Sequence, residues 1–309
     1  MRSIKKIIKN PWNIEILAGA LGYLNWIPDR LYLCLMYRAR LGKRLHLENP
    51  MTYNEKLQWL KLYDRNPAYS ILVDKYLVRN YVSDMIGEDY LVPLLGVWDN
   101  PEEINFNDLP NQFVLKCNHD SGTVIICKNK GQFDTQKAVE ILKKKMNRNF
   151  YQGGREWPYK NVKPRVLCEK YMVNGSDTGL RDYKIYCFDG VAKIILVVTG
   201  RYVNKTVNYD FFDRSFNWLD LEREHPRSNI KPDKPKSFEK MLNIAEKLSS
   251  GMPEVRVDLY EIDGKVFFGE MTLFPGSGFI KSTPPKWDDV MGDWIRLPNR
   301  RCNENTHRS

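Results

Sequence analysis

Hydrophobic and polar positions divide the chain into a helical beginning and a sheet-forming remainder. Up to about residue 65 the pattern reads as helix. In IPDRLYLCLMYRARLG, Leu31, Leu33, Leu35 and Met36 precede Arg38 and Arg40, and Gly42 stands where a C-cap closes the helix. Thr52 with Glu55 three residues on forms a capping box, and Leu57, Trp59, Leu60 and Leu62 give the next helix its apolar face. Asp74-Lys75 opens a further helix carrying Leu77, Val78 and Tyr81 and ending at Gly87. Residues 91–98 then read as a short extended segment.

Beyond residue 105 strand patterns take over. Residues 113–128 predict a strand (FVLKC), a polar turn and a second strand (TVIIC). A charged helix follows at 138–148, then a glycine-rich surface segment at Gly153-Gly154. PRVLCEKYM reads as a buried strand delivering Glu169, Lys170 and Tyr171 at its end. LRDYKIYCFDGVAKIILVVTGR gives two strands joined at Asp189-Gly190, with Asp182, Lys184 and Arg201 on polar positions. Residues 208–220 read as a linker, and SFEKMLNIAEKLSSGM as a helix.

The clearest alternation lies in 255–278, VRVDLYEIDGKVFFGEMTLFPGSG. Val255, Val257 and Leu259 alternate with Arg256, Asp258 and Tyr260, and Asp263-Gly264 is a strong hairpin turn. A strict two-residue turn would pair 258 with 269 and send Glu270 to the other face. A three-residue loop or a bulge pairs 258 with 270. Two carboxylates on paired strands suit a hard cation whose other ligands are phosphates and water, and Arg256 suits a phosphate held bidentately. An ordinary hairpin with solvated acidic residues is the alternative.

Lys116 sits inside an apolar strand, where an unpaired ammonium is costly, so it requires a partner or a phosphate. The turn after it, Asn118 to Thr123, offers Ser121 and Gly122 N–H groups that could cradle phosphate oxygens. As a plain surface hairpin it would do neither, and His119 would then be an ordinary turn residue.

The formal charge of +10 calls for an acidic partner. The basic residues are spread along the chain without a nucleic-acid-binding motif, so no nucleic-acid partner is expected. Six cysteines without a Cys-x-x-Cys pair read as free, buried thiols of a cytosolic protein. Four histidines without pairing argue against zinc. No apolar run reaches transmembrane length. The basic, apolar N-terminus could touch a membrane surface, so the expected location is cytoplasmic, at the inner face of the membrane if that contact is made. There is no G-x-G-x-x-G, Walker lysine, kinase catalytic loop or Asp-x-Asp motif.

Together, Asp74-Lys75, Lys116 before a turn, Glu169 in CEKYM, Asp258, Glu270 and the following Pro-Gly loop resemble the ATP-grasp superfamily. TYNEKLQWLKLYDR, VDKYLVRNYV, FVLKCNHDSG and GEMTLFPGSGF resemble its TupA-like branch of teichuronopeptide biosynthesis, over roughly residues 40 to 300. The resemblance implies an α+β ATP-grasp fold, two lobes clamping ATP between antiparallel sheets, with an N-terminal helical region at 1–65. The ATP-grasp domain would span 66–300, with a nucleotide-clamping lobe at about 105–170, a catalytic lobe at about 171–300 and a tail at 301–309.

By the same resemblance, Lys75 and Lys116 would hold the α- and β-phosphates under the Ser121-Gly122 turn. Glu169, Lys170, Tyr171 and Met172 would form the hinge beside adenine, and Asp182 would approach the ribose. Asp258 and Glu270 would bind one or two Mg²⁺ ions, with Arg256 on the γ-phosphate. His119, Lys184, Arg201 and the N–H groups of Gly276, Ser277 and Gly278 would meet substrate. The superfamily's usual third metal ligand, an Asn, is here Thr272. The implied activity is an ATP-dependent carboxylate–amine ligase, joining an amino acid or amine to a hexuronic acid of a surface polysaccharide through an acylphosphate. A sugar kinase with the same clamp and a non-catalytic glycan-binding protein are the alternatives.

Overall fold

The computed structural model describes residues 22–173, 181–200 and 207–299. Helix α1, Asp29–Leu41, ends on Gly42 in the left-handed region. Helix α2, Tyr53–Tyr63, starts at Thr52 with both reciprocal bonds of the capping box to Glu55 in place. The helix expected from Asp74 begins later. Helix α3 is Val78–Ile86, because the Asp74 carboxylate accepts from the N–H groups of Tyr76 and Leu77 and winds the preceding residues into a turn.

Strands β1 (Leu94–Trp98), β2 (Phe113–Cys117), β3 (Val124–Cys127) and, after a helix, β4 (Val166–Lys170) form an antiparallel sheet in the order β1-β4-β2-β3. That helix, α4, spans Thr135–Met146, earlier than the charge pattern predicts because Asp134 caps it by accepting from Lys137 N–H. Leu142 of α4 packs with Phe113, Leu115, Cys117 and Val166 in this lobe's own core.

The second sheet has five strands in the order β7-β6-β5-β8-β9, all antiparallel. Its members are β5 (Asp182–Phe188), β6 (Val191–Thr199), β7 (Asn208–Asp213), β8 (Glu254–Ile262) and β9 (Lys265–Thr272); helix α5 (Phe238–Leu248) precedes β8 and α6 (Lys286–Trp294) follows β9. The stretch read as a linker therefore begins as an edge strand: β7 pairs with β6 from Thr199↔Asn208 to Ile194↔Asp213 and buries Phe211 and Phe212. The Gly153-Gly154 segment is only half at the surface: Gly153 is exposed, whereas Gly154 is buried against Ser277.

The helical region is part of the large lobe. Leu33, Met36 and Leu57 share one apolar core with Val257 and Leu259 of β8, each such side chain contributing about 1.5–3 kcal/mol on burial. The Tyr53 hydroxyl donates to Glu254 Oε1 at 2.9 Å, and Lys56 Nζ donates to the Gly292 and Ile295 carbonyls at 2.9 and 3.0 Å, capping the end of α6. Cys117, Cys127, Cys168 and Cys187 are buried free thiols and Cys34 is half-buried.

The β8–β9 hairpin combines a two-residue turn with a bulge. Asp263 and Gly264 both have positive φ (50° and 76°), and regular pairing runs from Ile262↔Lys265 to Leu259↔Phe268. The register then slips by one at Gly269, so that Asp258 faces Glu270 and Arg256 faces Thr272. A Cβ at 269 would lie 3.0 Å from both the Asp258 carbonyl oxygen and the Tyr260 ring, so the extra residue fits as glycine.

Candidate active site

A cleft of about 1000 Å³ is lined by residues from both sheets. Its large-lobe wall is set by register. Lys184 of β5 lies directly opposite Asp258 of β8, which lies opposite Glu270 of β9. Arg256 grips Asp258 with two bonds, Nε to Oδ1 at 2.7 Å and Nη2 to Oδ2 at 2.9 Å, while Lys184 Nζ donates to Oδ2. The same Arg256 Nη2 donates to Thr272 Oγ1 at 3.0 Å and lies 3.5 Å from Glu270 Oε1. On the other side of Glu270, Lys75 Nζ stands 3.6 Å from Oε2.

The small-lobe wall supplies the second lysine. Lys116 Nζ donates to Glu169 Oε2 at 2.6 Å, and Arg79 Nη1 lies 3.5 Å from Glu169 Oε1. The strand-buried ammonium therefore has the partner its sequence context demanded. Lys75 is tied to the turn after β2: its N–H donates to the Asn118 carbonyl at 3.2 Å and its Nζ to the Asp120 carbonyl. Five basic side chains, Lys75, Arg79, Lys116, Lys184 and Arg256, thus converge on three carboxylates. Burial alone would push the Glu270 carboxyl up, but Lys75, Lys184, Arg256 and Lys116 more than offset it and bring it down to about 2. Burial would lower the Arg256 guanidinium, but Asp258 chiefly holds it well above its ordinary value.

Between the sheets the cleft is apolar, with Val92, Val114, Ile126, Met172, Ile262 and Phe267 along it, a slot suited to a flat base. Lys170, Tyr171 and Met172 border the slot, as does the buried Asp182, and Ser121 and Gly122 lie on its rim. Among the described residues no cluster of three or more His, Cys, Asp or Glu forms a closed metal cage. Asp258 and Glu270, two ionised oxygen donors on one face, fit instead a hard cation shared with phosphates. Thr272 Oγ1 accepts from Arg256 with one lone pair and would have its second for the ion.

At the far end, Phe274, Gly276 and Ser277 line the cleft with Phe150, Tyr159 and Glu156. Gly276, Ser277 and Gly278 are three successive left-handed residues, φ 59°, 54° and 61°, and α2 holds them there. Gln58 Nε2 donates to the Ser277 and Gly278 carbonyls at 3.0 and 2.8 Å, and the buried Lys61 Nζ donates to the Ser277 and Gly154 carbonyls, each at 2.7 Å. Ser277 Oγ donates to Glu156, whose carboxyl burial pushes up while Lys61 and this bond oppose it.

Most of the residues singled out in the sequence meet in this cleft. Three do not. His119 is buried with Nε2 3.2 Å from the Arg148 carbonyl and does not line the cleft, because the turn folds it inward. Gly278 is buried against Leu57 and Gln58 and serves the turn rather than a ligand. Arg201 lies outside the described residues. Arg79, Glu156 and Tyr159 escaped sequence reasoning. Arg79 sits on a helix among other polar residues, while a carboxylate beside the apolar Trp157-Pro158-Tyr159 was a signal that could have marked Glu156.

The family model TupA-like ATPgrasp matches residues 55–296. The chain belongs to that family and has the ATP-grasp fold. No curated protein matches the chain. Among solved structures it is similar to D-alanine–D-alanine ligase from Bacillus anthracis complexed with ATP (15% identity, 66% of this chain and 54% of that one, TM-score 0.38). A second structure of that ligase matches at 19% identity over 76% and 70% of the two chains, with a TM-score of 0.43. L-amino acid ligase from Bacillus licheniformis matches at 10% identity over 82% and 57%, with a TM-score of 0.46. The chain spans about half the length of the first of these.

Proposed function

We propose that this protein joins an amine or amino acid to the carboxylate of an acidic sugar, a hexuronic acid of a surface polysaccharide or its precursor, at the expense of ATP. The observation that carries the reading is the carboxylate pair Asp258/Glu270, ringed by Lys75, Lys184 and Arg256 at the mouth of an apolar slot. Lys75 and Lys116 are suited to the polyphosphate, and Asp258 and Glu270 would hold the Mg²⁺, which when bound neutralises the phosphates. Phosphoryl transfer needs positioning and charge neutralisation more than a protein nucleophile.

In this reading a sugar carboxylate oxygen bonds to the γ-phosphorus and the bond to the β-bridging oxygen breaks, releasing ADP and leaving an acylphosphate. The amine nitrogen then bonds to the acyl carbon, the carbon–oxygen bond to phosphate breaks, and phosphate leaves with the electron pair and takes up the proton that the amine loses. Arg256 and Lys184 neutralise the transferring group. The overall charge of +10 favours an acidic acceptor, and the Phe150, Tyr159 and Phe274 rings suit the apolar face of a sugar.

The test is release of ADP and phosphate with Mg²⁺-ATP against a panel of hexuronic acids and amines. ADP and phosphate together, only when both substrates are present, is the expected result. ADP without phosphate would instead mean transfer to a hydroxyl, and failure to bind Mg²⁺-ATP would favour a glycan-binding role. Glu270→Gln is expected to cut ADP release by at least about 100-fold, a loss comparable to removing one electrostatic contact to a transition state. Turnover unchanged in that variant would remove the site.

A further inference from the structure

Away from the cleft, the helical region carries a surface of another kind, and we propose that it docks in the plane of an anionic lipid bilayer. Six large apolar side chains among the described residues are more than half exposed, and four of them, Tyr23 (72%), Trp26 (81%), Leu31 (53%) and Met51 (55%), fall between residues 23 and 51. Helix α1 explains part of this. Its inner face takes Tyr32, Leu33, Met36 and Tyr37 into the core, with Cys34 and Leu35 half-buried at its flank, and leaves Arg30, Leu31 and Arg38 exposed. The water-facing side of a helix is mainly charged and polar. Here Leu31 is exposed and Cys34 and Leu35 are half-buried, with Arg30 and Arg38 beside them.

Beside α1, Arg30, Arg38 and Arg44 surround a hollow of about 930 Å³ with Leu35 and Leu45 on its lining and Met51 at its edge. Glu48 is the one acidic side chain lining it, and it is bonded to Arg30 at 2.9 Å. The Trp26 indole N–H donates to the Tyr23 carbonyl at 3.1 Å. Earlier in the sequence, Arg2, Lys5, Lys6 and Lys9 precede the first acidic residue, Glu15.

Exposed Trp and Tyr suit the boundary between water and lipid, and arginines around them match acidic headgroups while burying their stems. A soluble polyanion would satisfy the arginines and leave Trp26, Leu31 and Met51 in water, so the charge and the apolar surface together select a bilayer. Among the described residues no helix is long and apolar enough to cross a membrane, so the contact is peripheral.

The full-length protein is sedimented with vesicles of equimolar phosphatidylglycerol and phosphatidylcholine, and with phosphatidylcholine alone. Partition to the acidic vesicles that weakens with added salt is expected. Arg38→Glu with Arg44→Glu should lower it by at least about tenfold. Leu31→Ser with Met51→Ser should lower it too, and both pairs should keep the wild-type melting temperature and ADP affinity. Absence of partition, equal partition to both vesicles, or variants that bind as well as wild type would overturn the proposal. A dimer in solution that the same substitutions dissolve would also overturn it, by giving the surface a second copy of the chain as its occupant.

Discussion

Glu254 opens β8 with its carboxyl enclosed, accepting a bond from the Tyr53 hydroxyl. Burial pushes it up to about 8, against the lowering pull of Tyr53, Arg256 and Arg223. Its folded value lies above the unfolded one of about 4.3, so the folded state binds the extra proton in that window. Stability is therefore full below about pH 4 and falls as pH rises towards 8, by up to about 1.4 kcal/mol per pH unit. Thermal melts across pH 5 to 8 should show this slope in wild type and a flatter profile in Glu254→Gln, which keeps the Tyr53 acceptor. A slope that persists in the variant would assign it to another group. Glu270 behaves oppositely: held at about 2, it stays ionised throughout that range and adds no slope there. Charged residues were legible where they interrupted a strand, as Lys116, Asp258 and Glu270 do. Arg79, Lys61 and Glu156 were not, because a charged residue on a helix or loop is normally solvated, and only the long-range fold buries Lys61 between α2 and the 275–278 turn.

Among elements, that turn depends on its neighbour. Burial lowers the Lys61 ammonium to about 7, opposed by Glu156, yet the side chain still satisfies the carbonyls of Ser277 and Gly154. Lys61→Met leaves both without this donor. Gln58 still serves the Ser277 carbonyl, so the expected cost is that of one unmet buried acceptor, at Gly154, about 1–3 kcal/mol in urea unfolding, and a loss under 1 kcal/mol would show that the turn holds itself. The bulge makes a second demand. Gly269→Val should lose about 1–3 kcal/mol from overpacking against Tyr260, and should lose ADP release beyond what the lowered stability explains, because Asp258 and Glu270 are displaced from each other. The alternation of β5, β6, β8 and β9 was readable since each buries one face or both against a large core. Strand β7 was not, because Asn208, Tyr209, Asp210 and Asp213 hide its two phenylalanines in a polar context, and edge position rather than pattern makes it a strand.

At the scale of the molecule, the cleft draws its walls from two cores packed separately, one around Phe113 and Leu142 and one around Val257. A ligand held by both walls stabilises the whole. ADP with Mg²⁺ at 100 times its dissociation constant should add about 2.7 kcal/mol, read as a rise in melting temperature that chelation of Mg²⁺ reverses in part. In Glu270→Gln the ADP-dependent part should remain and the Mg²⁺-dependent part should vanish. An equal Mg²⁺ effect in the variant would place the ion elsewhere. The two-sheet clamp was legible from the order of its motifs. The fusion of α1 and α2 with the large lobe was not, since contacts such as Tyr53 to Glu254 join residues too far apart in sequence for any local pattern to reveal.

The slip at Gly269 also bears on how this hairpin tolerates changes of length. In a regular ladder, paired positions have a constant sum, and from Ile262↔Lys265 that sum would set Asp258 against residue 269. One surplus residue restores the partnership with Glu270. Losing Gly269 closes the ladder into regular phase with Asp258 and Glu270 still opposed, whereas losing any one residue between Lys265 and Phe268 shifts the core-facing set of β9 by one. The hairpin thus has a single position at which a codon can be dropped with both the pair and the core-facing residues kept, and insertions or deletions fixed in relatives should gather at that position and in the Asp263-Gly264 turn.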